Sequence, residues 1–168
     1  MKKNFKSMKE LTDYLNNCLV KAMDGVGEKA LKHMKNYVKK EFEKVEPSIY
    51  ERTYEYLNSI DRFEAWIHSD GSIRTEIYYN ADLINPYLAS NDFGRGTEYA
   101  SGQNWNWHAS FDNEDMSEYI PLFLEYGTNN PYYSHDGIGG IIDLRKWVQV
   151  NLKKQLAIEL RKQGIKTI

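Results

Sequence analysis

The 168-residue sequence has a single cysteine, Cys18, so no disulfide can form within the chain and nothing points to an oxidising compartment. Long hydrophobic runs are missing too. The basic start, Met1-Lys2-Lys3-Asn4-Phe5-Lys6, leads into no apolar stretch of signal-peptide length, and no segment reaches the ~18 apolar residues of a membrane helix. The chain is therefore expected to stay where it is made, off the membrane. Excess charge of one sign is absent: 22 Lys and Arg stand against 24 Asp and Glu, a net of −2, which gives no general drive towards nucleic acid or anionic lipid. Internal repeats and low-complexity tracts are absent as well.

Patterns that carry chemistry are just as scarce. Ser134-His135-Asp136 has the residue types of a hydrolytic triad, but neighbours in sequence point in different directions and cannot converge. His33, His68, His108 and His135 show no paired ligand spacing, which argues against a zinc site. Asp112-Asn113-Glu114-Asp115 lacks the glycine and terminal glutamate of a calcium loop. Gly137-Ile138-Gly139-Gly140 precedes a helical pattern and its amides could hold an anion, yet there is no Gly-Lys-Ser/Thr, so it reads as a capping turn. No cofactor and no metal are expected, and an enzyme would need converging titratable groups that the sequence does not offer.

What is present is a periodic framework. From Phe5 to Val45, apolar residues recur every three or four positions (Met8, Leu11, Leu15, Cys18, Ala22, Val26, Ala30, Met34, Tyr37, Val38), predicting one long helix that holds register through Gly25 and Gly27 and stops at Glu46-Pro47. Such a helix is roughly 60 Å long, whereas a globule of this size is about 40 Å across, a first hint of an oligomer. Ser48 to Ile60 reads as a connector with one helical turn. A hairpin follows, with Phe63, Ala65 and Ile67 alternating on one strand and Ile73, Thr75, Ile77 and Tyr79 on the other. A three-residue loop, Ser69-Asp70-Gly71, sets Ile67 opposite Ile73, Ala65 opposite Thr75 and Phe63 opposite Ile77, leaving Trp66, His68, Arg74 and Tyr78 on the outer face.

Residues 80–118 read as a long loop insertion within one domain spanning 1–168. They carry aromatic residues, Tyr99, Trp105 and Trp107 among them, and seven carboxylates against Arg95 alone. Phosphate would be repelled there, so the aromatics are expected to anchor a protein contact or cover the domain's own core. The apolar run Ile120-Pro121-Leu122-Phe123-Leu124 then predicts a buried strand ending at a turn, with Glu125 at its rim. That carboxylate is expected to pair with Arg52 or to accept backbone N–H bonds at the strand end. Ile141 to Gln163 is the second helix, striped by Ile141, Leu144, Val148, Leu152, Leu156 and Leu160 and stopped by Gly164. The fold class is α+β: a small antiparallel sheet with a long N-terminal helix and a C-terminal helix packed on one face.

This order of elements resembles the tail-completion, or neck, proteins of long-tailed bacteriophages. Two stretches carry the likeness: Arg52-Thr53-Tyr54-Glu55-Tyr56-Leu57-Asn58-Ser59-Ile60, and Tyr119 to Thr128 with its ending Glu125-Tyr126-Gly127-Thr128. The family's Arg-Thr-Gly-x-Leu-x-x-Ser-Ile maps onto Arg52, Thr53, Leu57, Ser59 and Ile60, interrupted by Tyr54 and one extra residue. Its Tyr-x-x-x-x-Glu-[Phe/Tyr]-Gly-Thr maps onto Ile120, Glu125, Tyr126, Gly127 and Thr128, with Ile120 in place of tyrosine. The resemblance implies a structural virion protein and no catalyst. It would form a homo-oligomeric, hexameric ring between neighbouring neck and tail proteins, letting double-stranded DNA pass without sequence-specific binding. It would be made in the bacterial host cytoplasm and reside in the virion neck. A tail terminator, a component of a phage-derived tail-like particle and an enzyme of unrecognised type are the competing readings.

Overall fold

The computed structural model describes residues 4–44, 55–83, 98–99, 103–104, 120–128 and 135–167. The architecture is α+β, with a long N-terminal helix, a C-terminal helix and small two-stranded sheets. Two compact units divide the chain. The first comprises Met1–His33, Arg62–Ile77 and Leu144–Ile168, and the second Met34–Asp61 and Tyr78–Asp143.

Helix α1 (Met8–Glu43) is continuous through its two glycines. Its buried apolar side chains step by four: Cys18, Ala22, Val26 and Ala30 in the first unit, Met34 and Val38 in the second. The expected stripe therefore holds from Cys18 onward, whereas Met8 and Leu15 lie exposed. The glycines are explained by what packs on them. A Cβ on Gly25 would come within 2.9 Å of the Glu159 carboxyl, and one on Gly27 within 2.7 Å of Thr75 Oγ1.

Helix α2 (Glu55–Ser59) is the expected helical turn. Strands β1 (Ile60–Arg62), β2 (Trp66–Ile67), β3 (Ile73–Arg74) and β4 (Ile77–Tyr79) make the hairpin, β2 pairing β3 and β1 pairing β4. At its tip the expected register holds. Ile67 lies opposite Ile73, the His68 N–H donates to the Ser72 carbonyl (2.8 Å), and Gly71 closes the loop at φ 81. Further down the register differs from expectation. The Phe63 N–H donates to the Glu76 carbonyl, so three steps from Phe63 to Trp66 face two from Glu76 to Arg74. The extra residue is a β-bulge at Glu64-Ala65, which moves Phe63 from the Ile67 face to the Trp66 face. There the Phe63 and Trp66 rings meet edge to face, 6.4 Å apart. Phe63 and Ile67 are both about half exposed, so the expected apolar core face is not built from them.

Asp24 on α1 fixes the bulge. Its carboxylate accepts the Arg62 guanidinium at 2.7 Å and the freed Ala65 N–H at 3.0 Å. The hydrogen bond from Arg62 holds the Asp24 carboxyl below its ordinary range.

After a 3-10 turn (Ala81–Leu83), the described part of the insertion includes a short antiparallel pair, β5 (Glu98–Tyr99) and β6 (Gln103–Asn104), where the sequence suggested only loop. The apolar run expected as a strand is a helix, α3 (Ile120–Tyr126). Pro121 stands in its first turn, where a missing N–H costs nothing, and Leu122 faces out, 50% exposed. Only Gly127–Thr128 is extended (β7), pairing with His135–Asp136 (β8).

Helix α4 (Gly140–Lys162) ends as expected at Gly164 (φ 82), with the Ile165 N–H donating to the Leu160 carbonyl. The sequence does not single out its buried carboxylate, Glu159. That carboxylate accepts Lys29 at 2.7 Å and Lys162 at 2.8 Å, and these two bonds, Lys162 first, hold it below its ordinary range.

Candidate functional site

The second unit is built around Glu125, whose side chain is 1% exposed. A carboxylate so buried is costly unless every oxygen is satisfied. Here both oxygens are. Oε1 accepts the backbone N–H of Ile141 at 2.7 Å, in the first turn of α4. Oε2 accepts the Tyr79 hydroxyl at 3.0 Å, and Tyr79 in turn accepts the Tyr56 hydroxyl at 2.6 Å. Tyr56 lies 3.5 Å from Oε2 itself, a distance that contributes charge–dipole attraction more than a hydrogen bond. The donor chain therefore runs Tyr56 to Tyr79 to Glu125.

Each member is placed by its own element. Tyr56 projects from α2 against Phe42 of α1, edge to face at 5.5 Å, and stacks on Tyr79 at 4.8 Å. Burial, reinforced by the Glu125 charge, pushes both hydroxyls above the ordinary tyrosine range, which keeps them protonated as donors. Ser59, fully buried, closes α2: its hydroxyl donates to the Tyr56 carbonyl at 2.8 Å, and its own carbonyl accepts the Asn80 N–H at 2.7 Å.

The loop before α4 completes the arrangement. Gly139 is the N-cap of α4, since its carbonyl accepts the Asp143 N–H, and it has no side-chain oxygen to offer the orphan amides behind it. Glu125 supplies that oxygen from α3. A negative group at this position also complements the helix dipole. In the reverse direction, the Ile138 and Gly139 amides donate to the free carbonyls of Leu124 and Glu125 at 2.8 and 3.0 Å. Helix α3 thus ends where α4 begins, each satisfying the other's unpaired backbone. The packing leaves no room for side chains: a Cβ on Gly137 would press on the backbone of Glu125 and Tyr126, and one on Gly140 would lie 2.9 Å from Val38.

The expectation for Glu125 is thereby corrected in part. It accepts a backbone N–H, but from the start of α4, beyond the turn it was expected to fix. Arg52, the other expected partner, lies outside the described residues, as do Thr53, Trp105 and Trp107. Leu57 is half-buried in α2, and Tyr126, 64% exposed, points away from the cluster. Gly127 (φ 80) and Thr128 form β7, and Tyr99 belongs to β5. Tyr79 was the missed partner. Its place on the inward alternation with Ile73, Thr75 and Ile77 was the available signal, because an inward tyrosine needs a partner for its hydroxyl.

Chemically, the cluster is a lock. Its carboxylate is out of reach of solvent and already holds its donors. Among the described residues no group of three or more His, Cys, Asp or Glu is placed to hold a metal, and no helix is long and apolar enough to cross a membrane. Compared with known protein families, with curated proteins and with solved structures, the chain finds no match.

Proposed function

We propose that this chain is a structural protein of the neck of a long-tailed bacteriophage, joining the DNA-filled head to the tail as a ring around the channel. The observation that carries the reading is the meeting of the two stretches that resemble that family. Glu125 of the second stretch and Tyr56 of the first, 69 residues apart, enter one buried cluster. A signature glutamate that caps a helix from inside the core marks a scaffold, and a scaffold is what a joining ring requires. Neighbouring rings above and below are its partners in this reading, and the double-stranded DNA passes without sequence-specific contact.

The test is genetic. A stop codon early in this gene, in the phage that encodes it, is expected to leave DNA-filled heads and finished tails unjoined, with joining restored by the intact protein supplied in trans. Joined, infectious particles would overturn the proposal, and tails of uncontrolled length would assign the terminator role instead.

A further inference from the structure

The small net charge conceals a strong segregation. The first unit carries 16 Lys and Arg against eight Asp and Glu, a net of +8; the second carries six against 16, a net of −10. The positive excess has a definite place. From Leu144 onward α4 has one carboxylate, Glu159, which is buried and paired with Lys29 and Lys162. Arg145, Lys146, Lys153, Lys154 and Arg161 are all exposed, and at 3.6 residues per turn they share an arc of about 180°. Among the described residues none of the five forms an ion pair. Within the same arc stands Val150, 79% exposed.

We propose that this arc is the surface by which one copy of the chain holds the acidic unit of the next copy, joining copies head to tail. Charge complementarity selects that occupant: each copy carries a positive excess in one unit and a negative excess of similar size in the other, so identical chains satisfy one another at equal stoichiometry. Nucleic acid would be the other polyanion. An exposed valine amid the basic side chains gains nothing from a phosphate backbone, but it is suited to a protein interface, where an apolar centre is rimmed by polar groups. A head-to-tail contact is heterologous and closes into a ring when its rotation allows. In this the inference deepens the neck reading and rests on it for closure only.

Three measurements on the full-length protein test it. Self-association by sedimentation velocity is expected at ~0.1 M salt and is expected to weaken about tenfold or more at ~1 M, where the Debye length falls from about 10 to 3 Å. The combined variant Lys146→Glu, Lys153→Glu, Lys154→Glu, Arg161→Glu is expected to keep its circular dichroism and lose the association. Carbodiimide coupling of mixed light and heavy-isotope protein is expected to join lysines of α4 to carboxylates of the second unit in mixed-isotope pairs.

Wild type and variant associating equally, no association at low salt, or same-isotope pairs alone would each overturn the contact. Binding of a short DNA duplex that the variant loses, with self-association unchanged, would give the arc to nucleic acid. The neck reading fails separately, on joined particles formed without the gene, whatever the charge variants do.

Discussion

Glu125 is the member whose loss strands two buried donors at once, and this orders the effects of substitution. Glu125→Ala strands the Ile141 N–H and the Tyr79 hydroxyl in a fresh cavity, so a loss of about 3–5 kcal/mol in urea denaturation is expected. Glu125→Gln keeps one acceptor oxygen but turns an NH2 towards a donor, for about 1–3 kcal/mol. Tyr79→Phe breaks the middle of the donor chain and should cost about 1–2 kcal/mol, and Tyr56→Phe, at its end, about 0.5–1.5 kcal/mol. Hydrogen exchange localises the effect: Ile141 amide protection should fall first in the Glu125 variants. Wild-type protection at Ile141 in Glu125→Ala would show that the carboxylate does not hold α4. At this scale the sequence was half informative. Glu125 was legible as a carboxylate out of place on an apolar run, but its partners come from three distant segments and no local pattern announces them.

Elements were more legible than their contacts. The two long helices and the tip of the hairpin follow from periodicity and from Gly71. The bulge did not show, because the alternation of Phe63, Ala65 and Ile67 is intact in sequence and is broken only by Asp24, which accepts the Ala65 N–H along with the Arg62 guanidinium. Helix α3 was misread because a five-residue apolar run has no period long enough to separate helix from strand, although Pro121 fits a first helical turn.

The mid-helix glycines give an element-scale prediction. Alanine there gains about 1 kcal/mol of helix propensity and loses about 1–3 kcal/mol wherever the new methyl is resisted. At Gly27 the obstacle is Thr75, whose hydroxyl is tied to the Phe63 carbonyl at 2.8 Å. Gly27→Ala should therefore destabilise by about 1 kcal/mol net. At Gly25 the obstacle is the end of the longer Glu159 side chain, so Gly25→Ala should come closer to neutral. Equal melting temperatures for Gly27→Ala and wild type would show that the hairpin yields.

Across the whole molecule, the two units should fail at opposite ends of the pH scale. In the first, Asp24 and Glu159 are held below their ordinary range by their cations, and Asp70 is brought to about 2 mainly by the Ser72 hydroxyl and amide. Depressed carboxyls bind fewer protons folded than unfolded. Their contribution is therefore present above the unfolded values of about 4 and drains away as pH falls through the folded ones. In the second unit the shifts are upward, at Tyr56 and Tyr79. Their contribution is complete below about pH 10 and is lost as the pH climbs past that value. Melts at stepped pH of a Trp105→Phe, Trp107→Phe variant, followed by the fluorescence of the remaining Trp66 and Trp147, the latter stacked on His33, for the first unit and by tyrosine absorbance for the second, should show an acid limit and an alkaline limit respectively. Coincident limits for both probes would contradict the assignment. None of this was legible in a net charge of −2, since the partition of charge emerges only once the units are known.

The joint between α3 and α4 also bears on heredity. Positions 125, 137 and 140 are occupied as a set: the carboxylate needs room at Gly140, and the crossing backbone needs it at Gly137. Drift at 125 alone should free Gly140 only in part, because the Val38 methyl, 2.9 Å from a Cβ there, stands closer than the carboxylate and remains. Gly137 stays fixed regardless, because it meets main chain and not a side chain that can change. In a deep mutational scan, substitutions at 140 should be tolerated no better on a Glu125→Gln background, where the side chain keeps its size, and better only where Val38 is also reduced to Ala, while 137 rejects every residue on all of them. A permissive 137 would mean that the two helix ends can part without loss of the fold.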